Sequence, residues 1–516
     1  MKWHLTTDVI VVGAGYAGTR AAIAAHDAGA KVLILEKLSH PGGISVMSAG
    51  AVLFVTDRSA ATEYFRHLSG GRVSETMIAA FAKGLADNLA DMQQLARVDG
   101  ASFIIQERPG IYPFPGRECL GGMRVTHVPG FKEFSWYPSA SGYNGAKLMA
   151  MLLDNLKDRQ ISIQCDTAVQ KLVVNSHKLI VGVEAQHNGN QLNIQARKGV
   201  VLACGGFEFD EWAKSQFLET KPFYSMGSLA STGDGLRMAQ DLGARLWHMW
   251  HTHNSYGFKY DDFQLAFRHS IGGPRSSSGV DGKVSVMPWI VVDTFGHRFM
   301  NEFPPAPQDT SGRPLAHFDP DLPGHPRIPC YLIFDDEGRR KRPVGAPLGF
   351  PEQFPGGKRY KWSHDNSKEI EKGWVVRSDS IRELAAVIKQ QSNNSARMDS
   401  EILAQTVDQW NAAVDKGEDA AFQRYPDTMM PIKTPPFYCM EAWPIITNTQ
   451  GGPEHNADRQ VIDVWGHPIA RLYTAGELGS FFGHIYELSG NIGECFSSGR
   501  IAGKAAAGEI SMDPSD

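Results

Sequence analysis

The chain has 516 residues, enough to build more than one hydrophobic core, so two domains are expected. A formal net charge of −5 leaves no basic footprint for nucleic acid, and 42% hydrophobic with 21% charged residues is the composition of a globular chain rather than a disordered one. No apolar run approaches the roughly 18 residues of a bilayer-crossing helix, and the first strand begins too early for a cleavable leader, so a cytoplasmic protein with no transmembrane segment is expected. The six cysteines are scattered without a Cys-x-x-Cys pair, which fits reduced thiols and offers no metal-ligand spacing. Asp8 to Val12 then reads as a short apolar strand, followed by Gly13-Ala14-Gly15-Tyr16-Ala17-Gly18, a helix over Thr19 to Ala28, a second strand over Lys31 to Leu35, and Glu36. Gly13 permits a tight turn, Gly15 lets backbone approach a pyrophosphate, and Gly18 lets helix and strand pack closely. The pyrophosphate would lie on the free N–H groups that open the helix. Glu36, eighteen residues past Gly18, is spaced to accept hydrogen bonds from an adenosine ribose.

Lys37 is followed by Pro41-Gly42-Gly43-Ile44-Ser45 and Ser48-Ala49-Gly50, a density of small residues that predicts backbone lying against a flat or phosphorylated ligand. Residues 57–97 read as helical, with Ser74 placed to cap toward Met77, and residues 106–145 read as irregular. A helix over Gly145 to Lys157 leads to strands over Ile161 to Val174 and Ile180 to Ala185. Lys198 to Ala203 is a buried strand ending in Cys204-Gly205-Gly206-Phe207, and Thr232-Gly233-Asp234-Gly235 opens another helix. Near residue 250 the composition shifts toward Pro, Arg and aromatics, with helices over Ser380 to Gln391 and Asp399 to Asp415, until Pro435-Pro436. That shift predicts a first domain in two pieces, 1–249 and 437–516, around an insertion at 250–436.

Several motifs then stand in one order over almost the whole length. They are the glycine turn with Glu36-Lys37, Gly42-Gly43-Ile44-Ser45, Ala203-Cys204-Gly205-Gly206-Phe207, Thr232-Gly233-Asp234-Gly235 and Gly296-His297-Arg298-Phe299-Met300-Asn301-Glu302. Thr449-Gln450-Gly451-Gly452, Leu472-Tyr473-Thr474-Ala475-Gly476-Glu477 and Ser489-Gly490-Asn491-Ile492 running into Gly499-Arg500-Ile501-Ala502-Gly503 complete the set. In these the chain resembles the fumarate reductase/succinate dehydrogenase flavoprotein superfamily, and in pattern its 3-ketosteroid dehydrogenase-like members most. The resemblance implies an α/β fold, a discontinuous Rossmann-like FAD-binding domain with an inserted α+β cap that carries catalytic groups. It implies that Gly13, Gly15, Tyr16, Ala17 and Gly18 take the pyrophosphate and Glu36 the ribose, with Lys37, Gly42, Gly43, Ile44, Ala49, Ala203, Gly205 and Gly476 also in the cofactor site. Ser45 and Gly50 would approach pyrophosphate and flavin, the Val169 backbone would meet adenine, Asp234 would lie near the FAD surface, and Glu477 would face the ribityl chain. Asn491 and Ile492 would offer N–H groups to the flavin's pyrimidine edge at a helix start, favouring the anionic reduced form. The covalent histidine of succinate dehydrogenases lies several residues before the double glycine. His40 lies only two before Gly42, so non-covalent FAD is expected and His40 is read as a turn residue before Pro41.

Dehydrogenation beside a carbonyl needs a base for the α-proton and a donor for the developing enolate oxygen. Fumarate reductases clamp two carboxylates with arginines, whereas here Ala306 stands where their proton-delivering arginine is expected and Glu487 near another, so that a dicarboxylate would meet a negative charge and fumarate reduction is not expected. The ketosteroid dehydrogenase pattern fits better: Tyr486 precedes Gly490 by four residues, the spacing of a hydroxyl and an N–H that polarise the ketone, and Tyr112 resembles that family's N-terminal active-site tyrosine. Its proton-abstracting tyrosine is missing at Ala306, and Ser489-Gly490 is similar to the pair in 4-ene-forming steroid dehydrogenases. The base is left among Tyr112, Ser489, His484, or His251 and His253. Plainer roles stand beside these: Tyr486 packing under the flavin, Ser489 as a helix N-cap, and Trp247-His248-x-Trp250-His251-x-His253 as a cap wall rather than a metal cluster. Arg298 and Glu302 are read as ties between cap and FAD domain, while Arg268 and Arg275 either bind a carboxylate or solvate a loop. The expected function is dehydrogenation of a CH–CH bond in a neutral, mostly apolar cyclic ketone, with hydride passing to flavin N5 and an unknown electron acceptor. The alternatives are the reverse reaction, an ene-reductase of an activated alkene of the fumarate or urocanate type, and a flavin-fold binding protein without catalysis.

Overall fold

The computed structural model describes residues 2–132, 145–270, 286–304, 307–349, 357–391 and 397–512. Strand Leu5–Val12 is fully buried over Val9 to Val12, as a parallel strand covered on both faces must be. It pairs in parallel with Val32–Leu35 on one side and Asn190–Leu202 on the other, and the sheet extends outward to Ser162–Gln164 and Pro468–Thr474. The expected strand ending at residue 203 is the second half of Asn190–Leu202. Its first half forms an antiparallel meander with Thr167–Val174 and Ile180–His187. All the central strands deliver their carboxyl ends to one edge, where open α/β sheets bind ligands.

Helix Tyr16–Asp27 packs against the C-terminal helix Gly490–Gly508 with backbones in contact. A Cβ on Gly499 would lie 2.5 Å from the Ala17 carbonyl oxygen, and one on Gly503 would lie 2.1 Å from that of Ala21. The two ends of the chain are thus locked by residues that only glycine can replace. Asp91 on helix Glu75–Asp99 adds a buried charge tie, accepting from Arg20 Nε at 2.7 Å and pairing with Arg500 at 3.1 Å.

Residues 106–145 are not all irregular, as the composition implied. Ser102–Glu107 and Leu120–His127 form an antiparallel sheet with Ala51–Val55. Gly121, which looks like a breaker, sits where a Cβ would meet the Phe54 ring at 2.5 Å, so its smallness serves packing. Helix Arg58–Ser69 is capped by Asp57, and Ser74 caps Glu75–Asp99 by accepting from Met77 N at 3.4 Å.

A second sheet lies beyond residue 224, ordered Phe267–Arg268, Thr252–Phe258, Phe437–Thr449, Cys330–Asp335, Ile290–Val292. Its core is aromatic, with Tyr256, Phe258, Phe267 and Trp289 all buried, and helices Ile381–Gln391 and Ser400–Lys416 pack beside it. Phe437–Thr449 is hydrogen-bonded within this sheet, so the proposed boundary of the inserted unit falls after Thr449 rather than at residue 436. Arg298 and Glu302 do not bridge the two units. Glu302 accepts from Arg298 Nε at 2.8 Å, Arg424 at 3.2 Å and Val291 N at 3.1 Å, and Arg298 also reaches Asp419 at 2.7 Å, all partners inside the second unit.

Candidate active site

A cleft of about 350 Å³ runs from the carboxyl ends of the central strands to the start of the C-terminal helix. At its far end the glycine turn is shaped by contact. Gly13 has a φ of +102°, and a Cβ there would lie 2.5 Å from the Ala203 carbonyl oxygen; on Gly18 it would lie 1.9 Å from that of Gly13. Gly18 therefore packs helix on strand and does not itself line the cleft, whereas Gly13, Gly15, Tyr16 and Ala17 do. The Tyr16 N–H donates to Ser45 Oγ at 3.1 Å, which brings the Gly42-Gly43-Ile44-Ser45 stretch and Ala49 onto the same wall. Glu36 accepts from Ala14 N at 2.8 Å and Leu38 N at 2.9 Å. Burial raises its carboxyl above the ordinary range against those two donors. Lys37 pairs with Asp234 at 2.6 Å, and both face the cleft beside Val169, Ala203 and Gly205. Besides Gly18, two expected cofactor residues do not line it. Gly50 turns away with its N–H on Ser48 Oγ at 3.2 Å, and Gly476 seats the strand end against helix Tyr16–Asp27, where a Cβ would lie 2.7 Å from Ala17 Cβ.

Midway along the cleft the half-buried Glu477 lies beside a second, fully buried carboxylate, Glu208, and both receive the Thr449 N–H at 3.0 Å. Burial first and then the charge of Glu208 push the Glu477 carboxyl well above its ordinary value. Two carboxylates this close share a proton rather than ionise together. Glu208 gave no signal in the sequence beyond standing between two phenylalanines.

The near end is built around Tyr486. Its ring stacks on His253 at 4.5 Å between centroids, and both rings line the cleft. Asn448 Oδ1 accepts from Asn491 Nδ2 at 3.0 Å and lies 3.2 Å from His253 Nδ1, which places the His253 proton on Nδ1 and leaves Nε2 without a partner among the described residues. Burial lowers the His253 imidazole to about 4, so it stands neutral at pH 7. Asn491 and Ile492 line the cleft at the first turn of Gly490–Gly508, where helix N–H groups are unpaired and the dipole is positive.

Several expected roles change here. The Gly490 N–H is not available to a ketone, because it donates to the Glu487 carbonyl at 2.9 Å, and Gly490 is packed under Phe482 away from the cleft lining. Ser489 does line the cleft and stands at the N-cap position, but its side chain caps nothing and its φ is +68°. Tyr112 is off the lining; its hydroxyl donates to Asp309 at 3.3 Å. His484 lies against Gly70, and His251 is buried between Phe482 O at 2.5 Å and Asp309 at 3.3 Å. Of the candidate bases, His253 and Ser489 alone border the cleft among the described residues. Ala306 and Arg275 lie outside the described residues.

Asp309 is the residue that the sequence did not reveal. Fully buried, it accepts the Tyr486 N–H at 3.0 Å and the Tyr112 hydroxyl, and it faces His251 at 3.3 Å and Arg313 at 3.5 Å. Burial raises its carboxyl, but the hydrogen bond and charge of His251 and then the charge of Arg313 outweigh that and hold it below the ordinary range.

Glu487 is also corrected. Rather than presenting a negative charge to the cleft, it is buried behind it, accepting from the Tyr64 hydroxyl and from Ile111 N at 3.1 Å, with Arg108 at 3.9 Å. Burial pushes its carboxyl up to about 7 from 4.5, against the Tyr64 hydrogen bond and the Arg108 charge. The folded protein thus holds a proton that the unfolded chain releases near pH 4.5. The stability this confers is complete below that pH and is lost as pH rises through about 7. Urea unfolding at pH 5 and pH 8 is expected to show a drop that Glu487→Gln abolishes, a difference on the order of 2–3 kcal/mol between the two proteins.

The glycine-walled far end, a carboxylate at ribose distance and a positive helix terminus at the near end together suit an elongated dinucleotide carrying a flavin, and the contacts that forbid a Cβ at Gly13 and Gly18 fit backbone-to-pyrophosphate approach. A fold and cleft of this kind define an FAD-dependent oxidoreductase. The chain belongs to the FAD binding domain family, whose model matches residues 8–492. It is 28% identical to the probable fumarate reductase Ifc3 of Shewanella frigidimarina, over 97% of this chain and 75% of that one. It is 26% identical to 3-oxosteroid 1-dehydrogenase of Mycobacterium tuberculosis, over 96% and 97%. In structure it is similar to 3-ketosteroid delta1-dehydrogenase from Sterolibacterium denitrificans, with a TM-score of 0.78 at 23% identity over 97% and 99% of the chains. The protein is an FAD-dependent oxidoreductase acting on CH–CH groups, of the family that holds both fumarate reductases and 3-ketosteroid dehydrogenases. Among the described residues no helix is long and apolar enough to cross a membrane.

Proposed function

We propose that the protein dehydrogenates the CH–CH bond next to the carbonyl of a mostly apolar cyclic ketone. The reading rests on one observation above others: a tyrosine borders a largely apolar cleft, stacked on a neutral imidazole whose Nε2 has no partner among the described residues. The Tyr486 hydroxyl, neutral in its buried setting, donates to the enolate oxygen as it develops. His253 Nε2 takes the α-proton, with the Nδ1 proton fixed on Asn448. The chemistry FAD supplies when bound is acceptance of the hydride from the neighbouring carbon. Glu36, Lys37 and the glycine turn hold its adenosine and pyrophosphate half, and Glu477 in its protonated form offers a hydrogen bond toward the middle. FAD is held without a covalent bond in this reading, since His40 lies off the cleft lining. Six free cysteines support work in a reducing, cytoplasmic setting.

The reverse reading, reduction of an activated alkene, is supported by the 28% identity to the Shewanella relative. Anaerobic mixing tests both. Oxidised, FAD-loaded protein is expected to bleach with cyclic ketones. If it stays oxidised while the reduced protein is reoxidised by enones, the reductase reading replaces the dehydrogenase.

A further inference from the structure

The ketone end of the cleft carries a cation that the proton and hydride steps do not use. Arg268 closes the strand Phe267–Arg268, paired with Gly257 across the sheet, and its carbonyl accepts from Ala346 N at 2.8 Å, so its backbone is pinned from both sides. Its side chain is half-buried and lines the cleft, yet among the described residues no carboxylate, carbonyl or hydroxyl engages its guanidinium. The other half-buried or buried arginines nearby are engaged: Arg298 with Glu302, Arg313 with the His484 carbonyl, Arg342 with Ser270 and Arg424 with Glu302. Arg268 lies close enough to His253 for its charge to add to the burial that keeps that ring neutral, and His253 stacks on Tyr486. The cation therefore belongs to the ketone end, whereas Lys37, at the ribose end, already has Asp234.

A guanidinium in a partly dry wall without a counter-ion is costly, and a carboxylate answers it with two parallel hydrogen bonds in one plane. Glu487 faces away behind the wall, and the buried Asp309 is engaged by the Tyr486 N–H, His251 and Arg313 and does not line the cleft, so among the described residues neither carboxylate is presented to an anion here. We propose that Arg268 is an anion subsite and that the substrate is a cyclic ketone that also carries a carboxylate. The substrate class rests on the ketone reading above; the anion subsite does not. A phosphate of the cofactor is the other group a guanidinium here could meet, and the test separates the two.

FAD-loaded protein is titrated with cyclohexanecarboxylate and with cyclohexanecarboxamide, neither of which is a ketone, and binding is read from the perturbed flavin spectrum. The carboxylate is expected to bind at least about tenfold tighter than the amide. Arg268→Gln should erase that preference with FAD affinity unchanged, and Arg268→Lys should keep part of it. Equal binding of the two compounds to the natural protein, including none by either, overturns the proposal. So does a preference that survives Arg268→Gln, with or without weakened FAD binding; weakened FAD binding would assign the guanidinium to a cofactor phosphate. If the carboxylate preference holds but no ketone bleaches the flavin, the ketone reading fails and the anion subsite stands.

Discussion

Replacing Tyr486 with Phe is expected to slow ketone oxidation by about 10²–10³-fold while FAD stays bound. The ring contributes packing against Phe482 and His253, which Phe preserves, so the loss isolates the hydroxyl. That hydroxyl is held in a buried setting where burial drives its pKa far up, so it stays protonated at any working pH. A donor in a dry site that needs no reorientation in the transition state has most of its effect on kcat rather than KM. Stopped-flow bleaching of the bound flavin measures this directly. Unchanged bleaching in the variant would remove Tyr486 from the chemistry and leave it a packing role.

Asp309→Ala is expected to have the largest effect on stability, about 3–5 kcal/mol, because it leaves the Tyr486 N–H and the Tyr112 hydroxyl without an acceptor and removes the counter-charge of the half-buried Arg313. The carboxyl titrates below its ordinary 3.8 in the fold, so its contribution is present at neutral pH and is lost as pH falls through the folded value. Asp309→Asn keeps the shape and an acceptor oxygen for Tyr486 N, and should fold with a smaller penalty. Because Asp309 touches Tyr486 through the backbone, it is a positioning residue, and Asp309→Asn should lower kcat while leaving FAD affinity unchanged. Chemical unfolding and flavin titration of both variants check these outcomes. A stable Asp309→Ala protein with full activity would show that the cluster is incidental.

The cofactor end was legible in the sequence because its requirements are backbone requirements. Gly13, Gly18, Gly499 and Gly503 each stand where a Cβ would strike a carbonyl, and such constraints survive as fixed spacings. The place of Tyr486 on the cleft wall was legible for a related reason, a fixed offset from the final helix. The failures also share a cause: sequence spacing does not say which way a side chain or an N–H points. Glu487 follows Tyr486 by one residue and faces the opposite side, into Tyr64 and Ile111. The Gly490 amide was counted as a donor, but the tight turn uses it on Glu487. Asp309 lies 177 residues from the Tyr486 amide it accepts, and no local pattern announces a contact of that range. Leu120–His127 was hidden because Gly121, which lets Phe54 pack, looks the same in sequence as a glycine that breaks a strand.

The central claim is that a ketone oxygen rests on the Tyr486 hydroxyl while its ring lies between that residue and the flavin. A crystal structure of the FAD-loaded protein with a carboxylate-bearing cyclic ketone tests it most directly. The expected result has the carbonyl oxygen within hydrogen-bond distance of Tyr486, roughly 2.6–2.9 Å, with His253 Nε2 facing the α-carbon. A ligand whose carbonyl lies away from Tyr486, or a flavin ring that does not reach Asn491 and Ile492, would contradict it.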